Sequence, residues 1–582
     1  MHRHLYLLII CMCVFLAADV RAQDATPTRS ANVTPTAAPD NLTDVPVIAA
    51  GYRSDDRSLP DLGRVGVDMT QQRTITLREA LELALDNNLD IEVSRKTERM
   101  AEYDLRIARA FYQPRVTGQT YYERSTVPNV SIFSSNPTIT QGSLVGNAGV
   151  QGYVPSFGTI LSSTLNNQRV SSNNPVTILS PQYNSNLGFS VTQPLFRGRK
   201  FDQPRRTIEI AKRNISLTDT QFRQKSVETV AGVQRAYWDL TFALRNLQVQ
   251  RDSVRDAKAQ LEHNRRLVGE GQLAPIDIVA AETQVANFEQ AVYDALNGVN
   301  QAENVLKNLI LPNRNAALWR ESLTPVDPVD IAIPTTTVAE AMDAALQNRS
   351  ELDISRFQKD INSIEQRFYR EQKKPQIDLI ASYSSAGIGG SQNPNFSNPF
   401  ARSACVDPQS PACLAIIAQQ QAFLQTIGGA GTTFTDILAN KYPVLRFGLQ
   451  FNLPLFGDKT ASAQLGKSIV EGERLETQRE QIEQGIQVDV RNAIQAVRTG
   501  EARLRAAAIA RENTAKQYES ERRKLDSGES DVYKVLDRQT ALATARSNEL
   551  RARTDLNKAI ADLQRATGNT LKANDVEPKL VK

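Results

Sequence analysis

The residues with the clearest chemistry are two cysteines, Cys405 and Cys413, which lie eight positions apart with two prolines between them. This spacing suits a short loop closed by a disulfide in an oxidising compartment, and the alternative is two independent free thiols. The other two cysteines, Cys11 and Cys13, fall inside an apolar N-terminal stretch. No Cys-x-x-Cys pair or histidine partner supports a metal site. We therefore expect a Cys405–Cys413 disulfide, no metal and no cofactor.

Acid–base catalysis has few candidate residues in this chain. It contains 3 histidines among 582 residues, and two of them, His2 and His4, precede or open the apolar N-terminal stretch. The remaining histidine, His263, cannot form a histidine-rich metal site by itself. The sequence also lacks a Walker A loop, His-Glu-x-x-His, Gly-x-Ser-x-Gly and a dinucleotide-binding fingerprint. We predict that the protein is not an enzyme.

The charge balance argues against nucleic acid as a partner. The chain has 68 Lys+Arg and 64 Asp+Glu, which leaves a net charge of +4 without a basic patch. Proteins that bind nucleic acid through phosphate contacts need such a patch. We therefore expect no nucleic-acid partner.

The N-terminus has the pattern of an export signal. Arg3 precedes an apolar run over 5–18, and small residues follow at Val20-Arg21-Ala22. A lipoprotein leader acylated at Cys11 is the alternative, but a large Ile10 precedes that cysteine and the apolar run continues past it. We predict a signal peptide over 1–22 and, because 23–74 is rich in Thr, Pro, Ala, Asp and Asn, a flexible N-terminal arm. No later segment approaches 18 uninterrupted apolar residues, so no transmembrane helix is expected.

An internal duplication organises the rest of the chain. Thr76-Leu-Arg-Glu-Ala-Leu81 returns as Thr337-Val-Ala-Glu-Ala-Met342, at an offset of 261, and Gly271 returns as Gly528, at an offset of 257. An offset that drifts by only four residues indicates a repeated unit of roughly 260 residues. We predict a first repeat over 75–330, a second over 331–570 and a C-terminal tail over 571–582.

Each repeat contains two segments of alternating hydrophobicity, near 114–125 and 183–195 in the first and near 375–384 and 445–455 in the second. The last is the clearest, since Leu445, Phe447, Leu449 and Phe451 alternate with Arg446, Gly448, Gln450 and Asn452. About 11 residues is the length that a tilted strand needs to cross a bilayer. A strand of a soluble sandwich is the alternative for any one segment. The polar stretches 126–182 and 385–443 are predicted to be exposed loops, and the second contains the cysteine pair.

Long helical tracts follow the strands, over 200–311 and 460–567. In the first tract an apolar residue recurs every seven positions, at Val233, Leu240, Leu247, Val254, Leu261 and Val268. Sustained heptads predict helices packed side by side as in a coiled coil. A helix of about 68 residues would be on the order of 100 Å long. Each tract contains a glycine turn, at Gly271 and Gly528, so we predict two long helical hairpins.

The number of strands requires self-association. Four strands cannot close a barrel, and an open edge cannot face lipid because its backbone groups would lack partners. Two copies would supply 8 strands and three would supply 12, against a practical minimum of about eight. The predicted fold class is mainly α with membrane β, built from a duplicated helix–strand unit.

The duplicated opening, the strand ends Thr192-Gln-Pro-Leu-Phe-Arg-Gly198 and Leu453-Pro-Leu-Phe-Gly457, and the glycine-tipped hairpins together resemble the TolC-like outer-membrane efflux protein (outer membrane factor) family. The resemblance covers about residues 70–570. It implies a homotrimer with a 12-stranded β-barrel in outer-membrane lipid, continued by a long α-helical barrel through the periplasm of a Gram-negative-type (diderm) bacterium. It further implies a passive duct of a tripartite efflux or type I secretion system, joined to a periplasmic adaptor (membrane fusion) protein and an inner-membrane transporter.

The resemblance also implies two kinds of site. The hairpin tips would contact the adaptor, through Gly271, Gln272, Leu273 and Ala274 in the first repeat and Gly528, Glu529 and Ser530 in the second. Alternatively these are only turn residues, since glycine relieves strain in any tight turn. The family's periplasmic gate often has an Asp-Val-Leu-Asp pattern, and the matching residues here are Lys534-Val-Leu-Asp537. Lys534 could pair with Asp537 or weaken its attraction for cations.

Two structural functions compete with the duct. A trimeric coiled-coil adhesin also combines a stalk with a barrel, but it places its strands together at the C-terminus, whereas here they are about 260 residues apart. A periplasmic tether would leave membranes in a carbonate wash. The exported substrate (drug, metal, polysaccharide or protein) is left open by the sequence, because a wide aqueous duct needs no binding pocket.

Overall fold

The computed structural model describes residues 63–130, 136–329, 332–398, 405–454 and 458–577. The predicted signal peptide, 1–22, and residues 23–62 of the predicted arm lie outside the described residues.

Two long helical hairpins form the body of the described chain. Their helices are nearly equal in length, 67 and 35 residues in the first repeat and 68 and 35 in the second. Within the described residues, none of the helices has both the length and the apolar character needed to cross a membrane. The helices are α1 (Leu77–Asn87), α2 (Leu89–Ala110), α3 (Gln203–Gly269), α4 (Ile276–Ile310), α5 (Val338–Asn348), α6 (Ser350–Gln372), α7 (Pro411–Thr426), α8 (Thr432–Leu438), α9 (Lys459–Asp526), α10 (Val532–Ala566) and α11 (Thr570–Ala573).

The repeated Thr-x-x-Glu sequence starts a helix in both repeats. The side chain of Thr76 accepts a hydrogen bond from the backbone N–H of Glu79 at 3.1 Å, and Thr337 accepts one from Glu340 at 3.2 Å. The Glu340 carboxylate also accepts from the Thr337 N–H at 2.9 Å, which completes a capping box. The motif that reveals the duplication is therefore the N-cap of α1 and α5.

The long helices pack side by side as a layer. α3 packs against α4 and α10, and α10 packs in turn against α9, so this part of the layer is four helices wide in the order α4–α3–α10–α9. Nearer the strands the order is α2–α3–α6–α9. The heptad residues Val233 and Leu240 are fully buried between these helices, as coiled-coil packing requires. The observed hairpins lie close to the predicted tracts 200–311 and 460–567.

Six strands form one antiparallel sheet in the order β2-β3-β4-β5-β7-β8. A separate two-stranded parallel sheet pairs β1 with β6. The strands are β1 (Asp68–Ile75), β2 (Arg115–Pro128), β3 (Thr138–Val154), β4 (Thr159–Ser172), β5 (Leu179–Pro194), β6 (Glu321–Pro325), β7 (Gln376–Gln392) and β8 (Tyr442–Asn452).

The expectation of four strands is wrong in number, because the first repeat supplies four strands to this sheet and the second supplies two. The missed strands, β3 and β4, occupy most of 126–182, which the sequence predicted to be an exposed loop. Their composition is rich in Ser, Asn, Gln, Thr and Gly, and only scattered residues such as Leu144 and Leu161 interrupt the polar sequence. Pairing with neighbouring strands, which no local pattern shows, makes them part of the sheet.

Ordered structure also begins within the last residues of the arm that was predicted over 23–74. β1 pairs with β6, and the segment before it is held by Arg64, whose buried guanidinium pairs with the Glu303 carboxylate. Glu303 also lies 2.7 Å from Nζ of the buried Lys307. Because Arg64 and Glu303 are 239 residues apart, local composition could not reveal this contact.

The ends of the second repeat differ from expectation in two further places. The tail predicted over 571–582 starts within α11, and Val576 is buried. The stretch 385–443, predicted to be an exposed loop, continues β7 and then forms α7 and α8. Cys405 and Cys413 form a disulfide at the start of α7, while Ser385 Oγ donates to the carbonyl oxygen of Ile437 in α8 at 3.1 Å.

Candidate functional site

Both hairpins turn at a glycine with the same backbone geometry. Gly271 has φ +76° and Gly528 has φ +77°, values that favour glycine because a Cβ is strained there. In each tip the N–H groups of the glycine and of the next residue, Gln272 or Glu529, donate to carbonyls of the last helical turn. This is the Schellman termination of a helix. The two glycines are therefore explained by the turn itself, independently of any partner.

The predicted tip residues separate into exposed and packed groups. Leu273 is half-buried against an apolar cluster of the second hairpin, formed by Leu525, Val532, Val535 and Leu536 with Tyr518. Ser530 is also half-buried and its hydroxyl contacts the Glu521 carboxylate. The five residues that remain exposed are Gly271, Gln272, Ala274, Gly528 and Glu529. The structure thus brings the two tips together through Leu273 and leaves the others available for a partner.

A second contact between the hairpins was not predicted from the sequence patterns. Nε2 of His263, near the end of α3, lies 2.8 Å from Oδ1 of Asp526 at the end of α9. From its sequence context, His263 was only excluded as a histidine-rich metal site. Nothing in the local pattern of either helix indicates this pair, since it depends on how the hairpins are placed side by side.

The predicted gate residues do not pair with each other. Nζ of Lys534 lies 2.8 Å from Oδ2 of Asp531, and Asp531 also caps α10 by accepting from the Lys534 N–H at 2.9 Å. These hydrogen bonds hold the pKa of Asp531 below its ordinary value and raise the pKa of Lys534. The contact of Asp537 is instead with Arg538 Nη1, at 3.9 Å. Within one chain Lys534 therefore pairs with Asp531 and not with Asp537, and an Asp immediately before a helix was the available signal for Asp531.

Asp537 lines a groove between α9 and α10 with a volume of about 610 Å³. Small side chains, among them Ala506, Ala507 and Ala541, form much of its wall. A neighbouring polar groove of about 480 Å³ lies among α3, α4 and α10 and shares Thr540, Thr544 and Asn548 with the first. Its amide and hydroxyl side chains include Asn246, Gln250, Gln284, Asn287, Thr540, Thr544, Ser547 and Asn548. Within the described residues no group of three or more His, Cys, Asp or Glu side chains could hold a metal ion.

Solved structures share this fold. A membrane protein from Pseudomonas aeruginosa is 17% identical and aligns with a TM-score of 0.59, over 87% of this chain and 92% of its own. The CmeC outer membrane channel of Campylobacter jejuni is 14% identical, with a TM-score of 0.59 over 85% and 86%. The open state of the MtrE outer membrane channel of Neisseria gonorrhoeae is 16% identical, with a TM-score of 0.56 over 85% and 89%. No curated protein matches the sequence significantly.

The sequence itself matches a family in both repeats. The outer membrane efflux protein family matches residues 145–310 and 341–569, which together are more than half of the chain. This match confirms the resemblance that the duplicated motifs indicated and disfavours the adhesin and the tether. The chain therefore belongs to the outer membrane efflux protein family and is an outer-membrane protein with a periplasmic helical part.

Proposed function

We propose that the protein is the outer-membrane duct of a tripartite efflux or type I secretion system. It acts as a homotrimer and passes substrates delivered by an inner-membrane transporter and a periplasmic adaptor. The observation that carries this proposal is a sheet with one exposed apolar face and two edges that have no partner within the described chain.

The apolar face is clearest on β8. Leu445, Phe447, Leu449 and Phe451 are 60–76% exposed in the single chain. Their register partners on β7 continue the same face with Tyr383, Ala381, Leu379 and Ile377. A face of this kind is unfavourable in water and is typical of strands that contact lipid tails. The opposite face carries Arg446, Gln450 and Asn452 and is suited to a water-filled interior.

The edges of the sheet require other copies of the chain. β2 and β8 are the outermost strands of the described sheet, and each pairs on one side only. In a bilayer the free N–H and C=O groups of these edges would lose hydrogen bonds to water, at a cost of several kcal/mol each. Pairing of β8 with β2 of the next copy satisfies both edges. Closed symmetry of this kind is usual for homo-oligomers.

The helical hairpins supply the periplasmic part of the duct. They continue directly from the sheet, since β5 leads into α3 and β8 leads into α9. At their far ends Gln272, Ala274 and Glu529 are exposed and contact the adaptor hairpins in the assembled system. Asp537, which is 59% exposed, forms a ring of three carboxylates at the gate of the trimer. Substrate choice then belongs to the transporter.

Bilayer recordings of the purified protein test the duct and its gate. Asp537→Asn should lower cation selectivity, because it removes three negative charges from the constriction. Asp575→Asn is the matched control, since this exposed carboxylate is at the opposite end of the hairpin and should leave selectivity unchanged. A monomeric, non-conducting protein would overturn the duct. Equal selectivity of both variants would overturn only the gate.

A further inference from the structure

The added strands β3 and β4 run the full height of the sheet. β2 pairs with β3 from Arg115↔Gln151 to Pro128↔Thr138 without interruption. At the helical end, the turn between β3 and β4 lies against the start of α3, where Gly158 approaches the carbonyl oxygen of Gly198. β3 and β4 are therefore members of the wall and not a loop that rests on it.

Both faces of the sheet are continuous through these two strands. One register row crosses all six strands as Val116, Val150, Ser163, Phe189, Tyr383 and Leu445. A row on the opposite face begins Gln119, Asn147, Asn166 and Asn186. An apolar row beside a polar row is what a strand between lipid and water requires. Of the residues on the added strands, Leu144, Val150 and Leu161 are exposed on the apolar face.

We propose that three copies of this chain close a barrel of 18 strands, three times the six of the described sheet. The inference rests on the proposed trimeric duct and departs from the 12 strands that the family resemblance implied. The pairing partner of each open edge is a second copy of the chain. β2 begins at the helical end and β8 finishes there, so β8 of one copy is antiparallel to β2 of the next and the alternation of strands continues around the barrel.

The widths of the two parts of the trimer support this number. With strands about 4.8 Å apart and tilted about 40°, 18 strands give a backbone diameter of about 36 Å and 12 strands about 24 Å. The helical layer is four helices wide per copy. Twelve helices about 9.5 Å apart give a tube of about 36 Å. An 18-stranded barrel therefore continues the helical tube without a change in width.

Part of the connection between β7 and β8 packs on the apolar face of the sheet. Ser185 and Ser385 belong to the face that includes Phe189 and Tyr383, and Ser185 Oγ donates to Oγ1 of Thr433 in α8 at 3.1 Å. A Cβ at Gly387, on the same face, would collide with the Thr433 carbonyl oxygen. α8 thus packs on the outward side at the end of the sheet remote from the helices.

Cross-linking tests closure by a second copy. Gln119→Cys on β2 is combined in turn with Arg446→Cys, Gly448→Cys and Gln450→Cys on β8, all on the polar face. At least one pair should give dimers and trimers on oxidation, and trimer should be the largest species. Asn147→Cys with Asn166→Cys is the matched control, because these residues are register partners within one chain and should give no ladder. A ladder that ends at dimer would overturn the proposal, since two copies would close 12 strands.

Deletion of residues 136–173 tests the strand number. It removes β3 and β4 and joins β2 to β5 as a hairpin, so a trimer would have 12 strands. The backbone diameter of the barrel, measured in projection images of the detergent-solubilised trimer, should fall from about 36 Å to about 24 Å. An unchanged diameter would place β3 and β4 outside the barrel and overturn the 18 strands while the trimeric duct stands. A monomeric, non-conducting wild-type protein would instead overturn the proposed function.

A second measurement covers the case in which the deletion prevents folding. Asn147→Cys, on the polar face of β3, should be labelled by a hydrophilic methanethiosulfonate in the full-length protein in lipid vesicles. Leu144→Cys, on the apolar face of the same strand, should be protected from that reagent by the lipid tails. Equal behaviour of the two variants would overturn the placement of β3 in the barrel wall.

Discussion

The middle regions of the two repeats occupy equivalent places in the helical layer but are held together by different interactions. The tip glycines set the correspondence, since 528 minus 271 is 257. At this offset Glu303 corresponds to Ile560 and Tyr237 to Ile494. All four side chains are buried. Equivalent buried positions therefore hold polar side chains in the first repeat and apolar side chains in the second.

The first repeat uses a buried network of charges. Glu303 is 1% exposed and pairs with both Arg64 and Lys307. Nζ of Lys307 also donates to the carbonyl oxygens of Trp319 and Glu321, at 3.0 and 2.7 Å. In the second repeat, the equivalent region is an apolar cluster of α5, α9 and α10 that includes Ala345, Val490, Ile494, Leu556, Ile560 and Leu563.

The difference follows from what each repeat must hold. The first repeat must fix β1, which precedes it, to β6, which follows α4, and the charged side chains reach the backbone between these segments. Tyr237 contributes to the same task, because its hydroxyl lies 3.1 Å from the carbonyl oxygen of Ile75 in β1 and contacts the Asp327 carboxylate. The second repeat has no strand within 332–337, so apolar packing is sufficient.

Of the variants that test this difference between the repeats, Glu303→Ala should lose the most stability. Glu303→Ala leaves Lys307 and Arg64 buried without a carboxylate, and breaking a buried pair in this way costs about 3–5 kcal/mol. We expect faster hydrogen exchange at the amides of β1 and β6 and a lower thermal midpoint. The control converts the site toward the second repeat with Arg64→Met, Glu303→Ile and Lys307→Gln. This triple variant should be within about 2 kcal/mol of wild type; a triple variant as damaged as Glu303→Ala would contradict the comparison.

Tyr237 should show a smaller effect that depends on pH. Burial and the hydrogen bond to Asp327 raise the pKa of Tyr237 above its ordinary value. In the unfolded chain a tyrosine ionises near pH 10, whereas folded Tyr237 stays neutral, so its contribution to stability is present below pH 10 and is lost as the pH rises above 10. Tyr237→Phe should cost about 2 kcal/mol at neutral pH, because its hydroxyl bonds a carboxylate, and should make unfolding less sensitive to alkali.

The equivalent residue in the second repeat provides the control for Tyr237. Ile494→Val should cost about 1 kcal/mol through lost packing and should leave the alkaline dependence of unfolding as in wild type. Thermal midpoints measured by circular dichroism between pH 7 and 11 would distinguish the two variants. The same alkaline slope for Tyr237→Phe and wild type would show that Tyr237 does not stay neutral in the folded state.

The helix caps should show the smallest effects, and there the two repeats should agree. Thr76→Ala and Thr337→Ala each remove a side-chain acceptor from the first turn of a helix, at a cost of about 1 kcal/mol. Exchange of the Glu79 and Glu340 amides, which these threonines cap, should accelerate to a similar extent. Thr76→Ser and Thr337→Ser keep the side-chain acceptor, so these two amides should remain protected from hydrogen exchange. A clear difference between the two alanine variants would show that the repeated motif has different roles in the two repeats.

Much of the periplasmic part was predictable from local sequence. Heptads repeat along a helix, and each turn is marked by a single glycine. The hairpins and their tips at Gly271 and Gly528 could therefore be placed to within a few residues. The gate was only partly predictable. Asp537 lies on the expected helix, but the partner of Lys534 is Asp531, because the helix start orients both side chains.

The sequence by itself determined the duplication, the two long hairpins, the disulfide-compatible cysteine spacing and the alternation of β5 and β8, because each of these is encoded over a short stretch of chain. Tertiary structure alone decided the six-stranded sheet, the Arg64–Glu303–Lys307 network and the His263–Asp526 contact between hairpins. These features join segments that are far apart along the chain. A polar strand such as β3 or a buried charge such as Lys307 is stable only when its partners are in place, and those partners are set by the fold.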